Sequence, residues 1–179
     1  ALTAYTSAIT GATSVTLTAS DTNWSVTTAD LATALTAGVR FAGALTVTGI
    51  ADANETAALT AYTSAITGAT SVTLAATDTV WSVTAANLTT ALAAGVRLAG
   101  TLTVTGIENG DETAALTAFT ATTTGATSVT LTADGAWSVT GAALTTALAD
   151  GVFLAGTLTV TDIADSNETA ALTAFTATT

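Results

Sequence analysis

Cysteine, proline, methionine, histidine and lysine are all missing from this chain. Without cysteine there is neither a disulfide framework nor a thiolate metal site. Without histidine, lysine or cysteine the usual general bases and activated nucleophiles are gone, which leaves only a carboxylate pair as a catalytic device. The acids recur in turns and aromatic residues make up only 5%, so no sugar-hydrolysing cleft is expected and the chain reads as a non-enzyme. Positive charge is confined to Arg40 and Arg97, against a net charge of −11. Binding to nucleic acid works by displacing counterions with Lys and Arg, and this surface would instead repel phosphate or an anionic membrane. Charged residues amount to 8%, against about 25% in an average globular protein. The mean hydropathy of +0.62 is high, yet Thr, Ser, Gly or an acid interrupts every apolar run well before the ~18 residues of a membrane span. No basic segment followed by an apolar stretch marks a secretory leader. The first residue is not Met, which predicts a processed chain or a segment of a longer one.

What is present is threonine, alanine and repetition. ALTAYTSAITGATSVTL at residues 1–17 returns unchanged at 58–74, an offset of 57 residues. A third copy opens at Ala115 as ALTAFTATTTGATSVTL, and a fourth begins at Ala171 and runs ALTAFTATT to the last residue. Self-similarity at such a period is the signature of a repeat architecture. The units are 1–57, 58–114 and 115–170, with 171–179 as the first strand of a fourth unit or a strand donated to a neighbour. The third unit is one residue shorter, the deletion falling in the turn before Trp137.

Within a unit, GATSVTL alternates Val and Leu with polar residues, the period-2 pattern of a half-buried strand. A turn follows, and Asp134-Gly135 in the third unit is a hairpin signal. WSVT makes a second strand. Leu88 and Leu92 then lie four residues apart with Gly95 beyond them, which predicts a short helical turn with a C-terminal stop. TLTVTGI at 101–107 returns to alternation. Each unit offers too little apolar surface to stand alone, so neighbouring units must cover one another.

The segment LTADGAWSVTGAALTTALADGVFLAGTLTVTDIADSNETA (131–170) resembles the bacterial Ig-like repeats of large surface adhesins and extracellular matrix proteins. The matching features are the D-G-x-W-S-V-T stretch at Asp134–Thr140, the A-A-L…L-x-D-G connection at Ala142–Gly151, the T-x-T-V-T-D strand at Thr157–Asp162 and the D-x-x-N-x-T-A junction at Asp165–Ala170. This resemblance implies an all-β fold of tandem small Ig-like β-sandwiches, each with one short helical turn, or a stack in which consecutive copies share strands. It also implies a spacer that holds a binding tip away from the cell or builds a biofilm matrix.

Three residue sets are candidates for a role. Acids and amides cluster at the unit junctions: Asp52, Asn54 and Glu55; Glu108, Asn109, Asp111 and Glu112; Asp162, Asp165, Asn167 and Glu168. Oxygen ligands at short spacing suit Ca²⁺, and the same residues also make ordinary solvated turns. Trp24, Trp81 and Trp137 are expected as core anchors. The Tyr5, Tyr62, Phe119, Phe175 series points to packing rather than hydroxyl chemistry, and the replacement of Arg40 and Arg97 by Phe153 argues against a required cation. Four Asn-x-Ser/Thr triplets, at Asn23, Asn54, Asn87 and Asn167, permit glycosylation. Together these features predict an extracellular or cell-surface structural protein whose partners are copies of itself: the rod-like stalk of an adhesin or, as the alternative, a filament, sheath or surface-layer subunit joined by strand donation. A flat threonine array that binds ice is a further alternative.

Overall fold

The alternation of Val and Leu with Thr does build strands, but all of them run in the same direction. The computed structural model describes residues 14–164 together with Ala171 and Phe175. In chain order the elements are β1 (Val15–Thr27), α1 (Thr28–Thr36), β2 (Val39–Ile50), a 3₁₀ turn (Asp52–Asn54), α2 (Glu55–Ala61), α3 (Ser64–Thr67), β3 (Ser71–Thr84), α4 (Ala85–Ala93) and β4 (Val96–Ile107). After these come α5 (Glu112–Ala118), α6 (Ala121–Thr124), β5 (Ser128–Ala133), β6 (Trp137–Thr140), α7 (Gly141–Ala149), β7 (Val152–Ala155) and β8 (Leu158–Thr161). Six strands form one sheet in the order β1-β2-β3-β4-β5-β7, and β6 pairs with β8 in a second. Every pairing is parallel.

This α/β solenoid replaces the expected all-β tandem of Ig-like sandwiches, whether separate or strand-sharing. The physical cause is the connections. Parallel strands cannot be joined by hairpins and need a crossover, usually helical. The sequence supplies two crossovers per unit. One is the TADLATALT class of segment, where a helical turn was expected. The other is ETAALTA: its opening acid was expected in a junction turn and its ALTA, the same segment as at 171, at the start of a strand, but the whole stretch is helical, with Ala58 and Leu59 buried in α2 and Ala115 and Leu116 in α5. The expected hairpin at Asp134-Gly135 is also absent. In the first two units the chain passes straight through the same place inside one long strand, with Thr22 and Thr79 at positive φ. The ladder is locally disrupted there without reversing, as in a bulge. The third unit, one residue shorter, breaks into β5 and β6 at this point but keeps its direction.

Local chemistry sets the crossings. The last Thr of each WSVT strand is also the N-cap of the next helix: Thr27, Thr84 and Thr140 accept hydrogen bonds from the backbone N–H of Asp30, Asn87 and Ala143. A β-branched residue suits the strand end, and its hydroxyl satisfies one of the helix's free N–H groups. The stop expected at Gly95 is present, with φ of 79° after the cap residue Ala94.

One face of the sheet is apolar and carries the helices. Val39, Phe41, Leu45, Val47 and Ile50 of β2 pack with Leu31 and Ala34 of α1 in a single cluster that runs through all three units. Each fully buried side chain of this size contributes about 1.5–3 kcal/mol. Trp81 and Trp137 are fully buried. Trp24 is half-buried and edge-on to Phe41, with ring centroids 5.3 Å apart. Each indole N–H also closes a bond to the outgoing strand, to the carbonyls of Ala42, Ala99 and Ala155 at 3.1, 3.0 and 3.0 Å.

The register makes a staircase. The first half of β3 pairs with the second half of β2 (Leu45↔Val72) and also with the first half of β4 (Val72↔Val96). The counterpart of Leu45 in the next unit is Leu102, which pairs with Val129. From Val96 to Leu102 is about six residues of β4, or about 20 Å at the rise of a parallel strand. Each unit therefore moves about 20 Å along the strand direction and two strands, about 10 Å, sideways. No helix among the described residues is long and apolar enough to cross a membrane.

Candidate functional surface

The junction acids do not act as one set. Glu55 is buried at the start of α2, and its carboxylate Oε2 accepts the backbone N–H of Ser82, 27 residues on, at 2.9 Å. It thus ties one unit to the next. Burial raises its pKa above the usual carboxylate value; the Ser82 bond opposes that, and Asp52 and Asp78 add to the rise. Glu112 is also buried, but its carboxylate turns back to the N–H of Gly110 at 2.7 Å. Asp52, Asn54, Glu108, Asn109, Asp111 and Asp162 are exposed. Asp165, Asn167 and Glu168 lie outside the described residues. Among the described residues, no three acidic side chains come together as a metal-binding group.

The segment expected as a terminal or donated strand, 171–179, is described only at two positions. Ala171 is helical, and the N–H of Phe175 donates to its carbonyl at 3.0 Å. Phe119 makes the same bond to Ala115, and Tyr62 to Ala58.

Two surfaces recur with the repeat. The first is a groove on the helical side. In the second unit it has a volume of about 390 Å³, with Ala85, Ile107, Ala115 and Phe119 in its walls and Glu108 and Asp111 at its rim. In the first unit the corresponding groove is about 220 Å³, with Thr28, Ile50, Ala58 and Tyr62 in those places. Neither groove holds a nucleophile with a base beside it.

The second surface is the sheet face away from the helices, and hydroxyls dominate it. Ser25, Thr46 and Thr73 lie side by side across three strands, and Arg97 completes the row. Ser82, Thr103 and Thr130 repeat the pattern in the next unit, with Phe153 at the end. Ser138 and Thr159 form the third. The serines are exposed and the central threonines half-buried between their neighbours. A second row lies two residues along: Thr27 with Thr48, Thr84 with Thr105, and Thr140 with Thr161. There Thr48, Thr105 and Thr161 turn their hydroxyls back to carbonyls of the adjacent strand at 3.3, 3.5 and 3.4 Å. Each arginine bonds the carbonyl of the residue before it, Arg40 to Val39 and Arg97 to Val96, both at 2.9 Å. The T-x-T pattern gave the strand face correctly, but only the parallel order aligns threonines from different units into rows. The Glu55–Ser82 tie carried no sequence signal beyond the recurrence of E-T-A-A-L.

No family model, curated protein or solved structure matches the chain.

Proposed function

We propose that this chain is a structural rod, an extracellular or cell-surface element whose length is set by the number of units. The observation that carries this reading is the repeated register. The β1–β2 pairing recurs in β3–β4 and the β2–β3 pairing in β4–β5, so every added unit continues the same sheet and core. In nearest-neighbour stacking of this kind each unit contacts only the next, so length grows with the number of units. The composition fits an exposed setting, because Arg40 and Arg97 are the only residues at which a trypsin-like protease could cut. Immunogold labelling of the cells that make the protein tests the reading. Label on surface rods or matrix outside the cell is the expected result, and label confined to the cell interior would overturn it.

A second reading is supported by the hydroxyl rows. Ser25, Thr46 and Thr73, and likewise Ser82, Thr103 and Thr130, present hydroxyls at the spacing of adjacent strands, about 4.8 Å, on the sheet face opposite the described helices that cover the core. Ordered water or ice is the ligand such a surface suits. Thermal hysteresis of the purified protein tests this reading, and freezing behaviour no different from that of an inert protein at equal concentration would remove it.

A further inference from the structure

We infer that the two ends of this solenoid are complementary, so that a second copy of this chain docks head to tail by adding its β1 to the outer edge of β8. The inference rests on the rod reading and names the rod's partner. The internal junctions serve as its template. Where one unit meets the next, the second half of an even-numbered strand receives a Val-Thr-Leu strand in a fixed register: Leu45↔Val72, Thr46↔Thr73 and Val47↔Leu74 at the first junction, and Leu102↔Val129, Thr103↔Thr130 and Val104↔Leu131 at the second. Strand β8 carries the same receiving sequence at Leu158-Thr159-Val160, and β1 carries the same entering sequence at Val15-Thr16-Leu17.

Among the described residues both edges lack a partner strand: β1 is the first strand of the main sheet, and β8 pairs only with β6. Burial records what is missing. Leu45 and Leu102 are 1% and 2% exposed, whereas their counterpart Leu158 is 37% exposed. Ile50 and Ile107 are buried, whereas Ile163 is 36% exposed. Val15 and Leu17 are half-buried, whereas Val72, Leu74, Val129 and Leu131 are fully buried. An unpaired edge with apolar residues beside it is a template for strand addition. The pairing that repeats the internal register is Leu158↔Val15, Thr159↔Thr16 and Val160↔Leu17 of the second copy. Such a contact joins two different surfaces by a translation, so it does not close on itself and generates an open filament.

The absence of cysteine makes the test clean. Thr16 and Thr159 are exposed, and in the proposed joint they are neighbours across a parallel pair. Adjacent strands lie about 4.8 Å apart, within the Cα separation a disulfide spans. The double variant Thr16→Cys/Thr159→Cys, oxidised in solution at an ionic strength of about 0.15 M to screen the acidic surfaces, should give a ladder of covalent dimers, trimers and higher species on denaturing gels. Reductant should collapse the ladder. Each single variant should stay monomeric, because head-to-tail contact never brings two copies of one position together. Adding Leu158→Asp to the double variant should cut cross-linking at least tenfold while leaving the circular dichroism unchanged. A folded double variant that cross-links no more than the singles, or a Leu158→Asp version that cross-links equally well, would overturn the joint. Either result would leave the rod reading standing, since the dimensions of the single chain test that reading separately.

Discussion

Trp24 and Trp81 are the same residue of the repeat in successive units, and both indoles donate to a carbonyl 18 residues further on. Yet Trp81 is fully buried, and Trp24 is not. The same contrast runs along the other end of the chain, where Leu102 is buried and Leu158 exposed. The difference lies in position and not in sequence: an interior unit is covered on both sides, an outer one on a single side. Burial of a given residue in this fold is therefore a property of its neighbours' presence. For the same reason a single unit makes poor sense as an independent domain, and a row of them makes sense as a rod.

That contrast can be broken most forcefully at the tryptophans. Trp81→Ala should cost about 3–5 kcal/mol, the usual range for a buried aromatic, and Trp24→Ala distinctly less, read from urea unfolding midpoints. Equal losses would mean that the outer unit is as well covered as the inner one.

The glycines give a second test with a built-in control. A Cβ on Gly100 would sit 2.1 Å from the Thr79 carbonyl oxygen, while one on Gly156, the corresponding residue of the shortened third unit, meets nothing within 4 Å. Both have positive φ. Gly100→Ala should therefore cost about 3 kcal/mol from crowding and strain together, and Gly156→Ala about 1 kcal/mol from strain alone. Thermal unfolding of the two variants side by side checks this.

A smaller effect is expected at the caps. Thr27→Ala removes the acceptor for the Asp30 N–H, 3.2 Å away, and should cost about 1 kcal/mol. At the unit junction, Glu55 carries a pKa raised above its ordinary value of 4.5, with burial as the main cause. The folded state then holds the proton more tightly than the unfolded chain, so stability falls as pH rises through the window just above 4.5. Glu55→Gln keeps an acceptor for Ser82 without the charge. It should flatten that part of the stability–pH curve and leave the variant at least as stable as the native chain at neutral pH. A variant curve that still fell with pH in this window would remove Glu55 as its source. The smallest change is expected on the hydroxyl face, where Thr103→Ala should stay within about 0.5 kcal/mol of the native chain.

Much of this architecture was legible, and what was not has a definite cause. The strands at GATSVTL, WSVT and TLTVTGI, the helix ending before Gly95 and the buried Trp81 and Trp137 all follow from local patterns. Strand direction does not. Alternation of Val with Thr looks alike in a hairpin and in a parallel ladder, and Asp134-Gly135 favours a hairpin on local grounds alone. The decisive segment is ETAALTA, whose apolar Ala58 and Leu59 are buried; its acidic start suggests a turn and its ALTA a strand, and neither pattern alone shows the helix. Two helical crossovers per unit are what permit the parallel order that the sheet shows. The surface followed the same course: T-x-T showed which residues point outward, while their alignment across units needed the register.

By this register, an added unit continues one sheet and advances it by about 20 Å. The most direct measurement is small-angle X-ray scattering of the chain beside a version in which residues 58–114 are duplicated in place. The duplicated version should have a maximum dimension greater by about 20 Å with an unchanged cross-section. A longer version with the same maximum dimension, or a profile of flexibly linked beads, would contradict it.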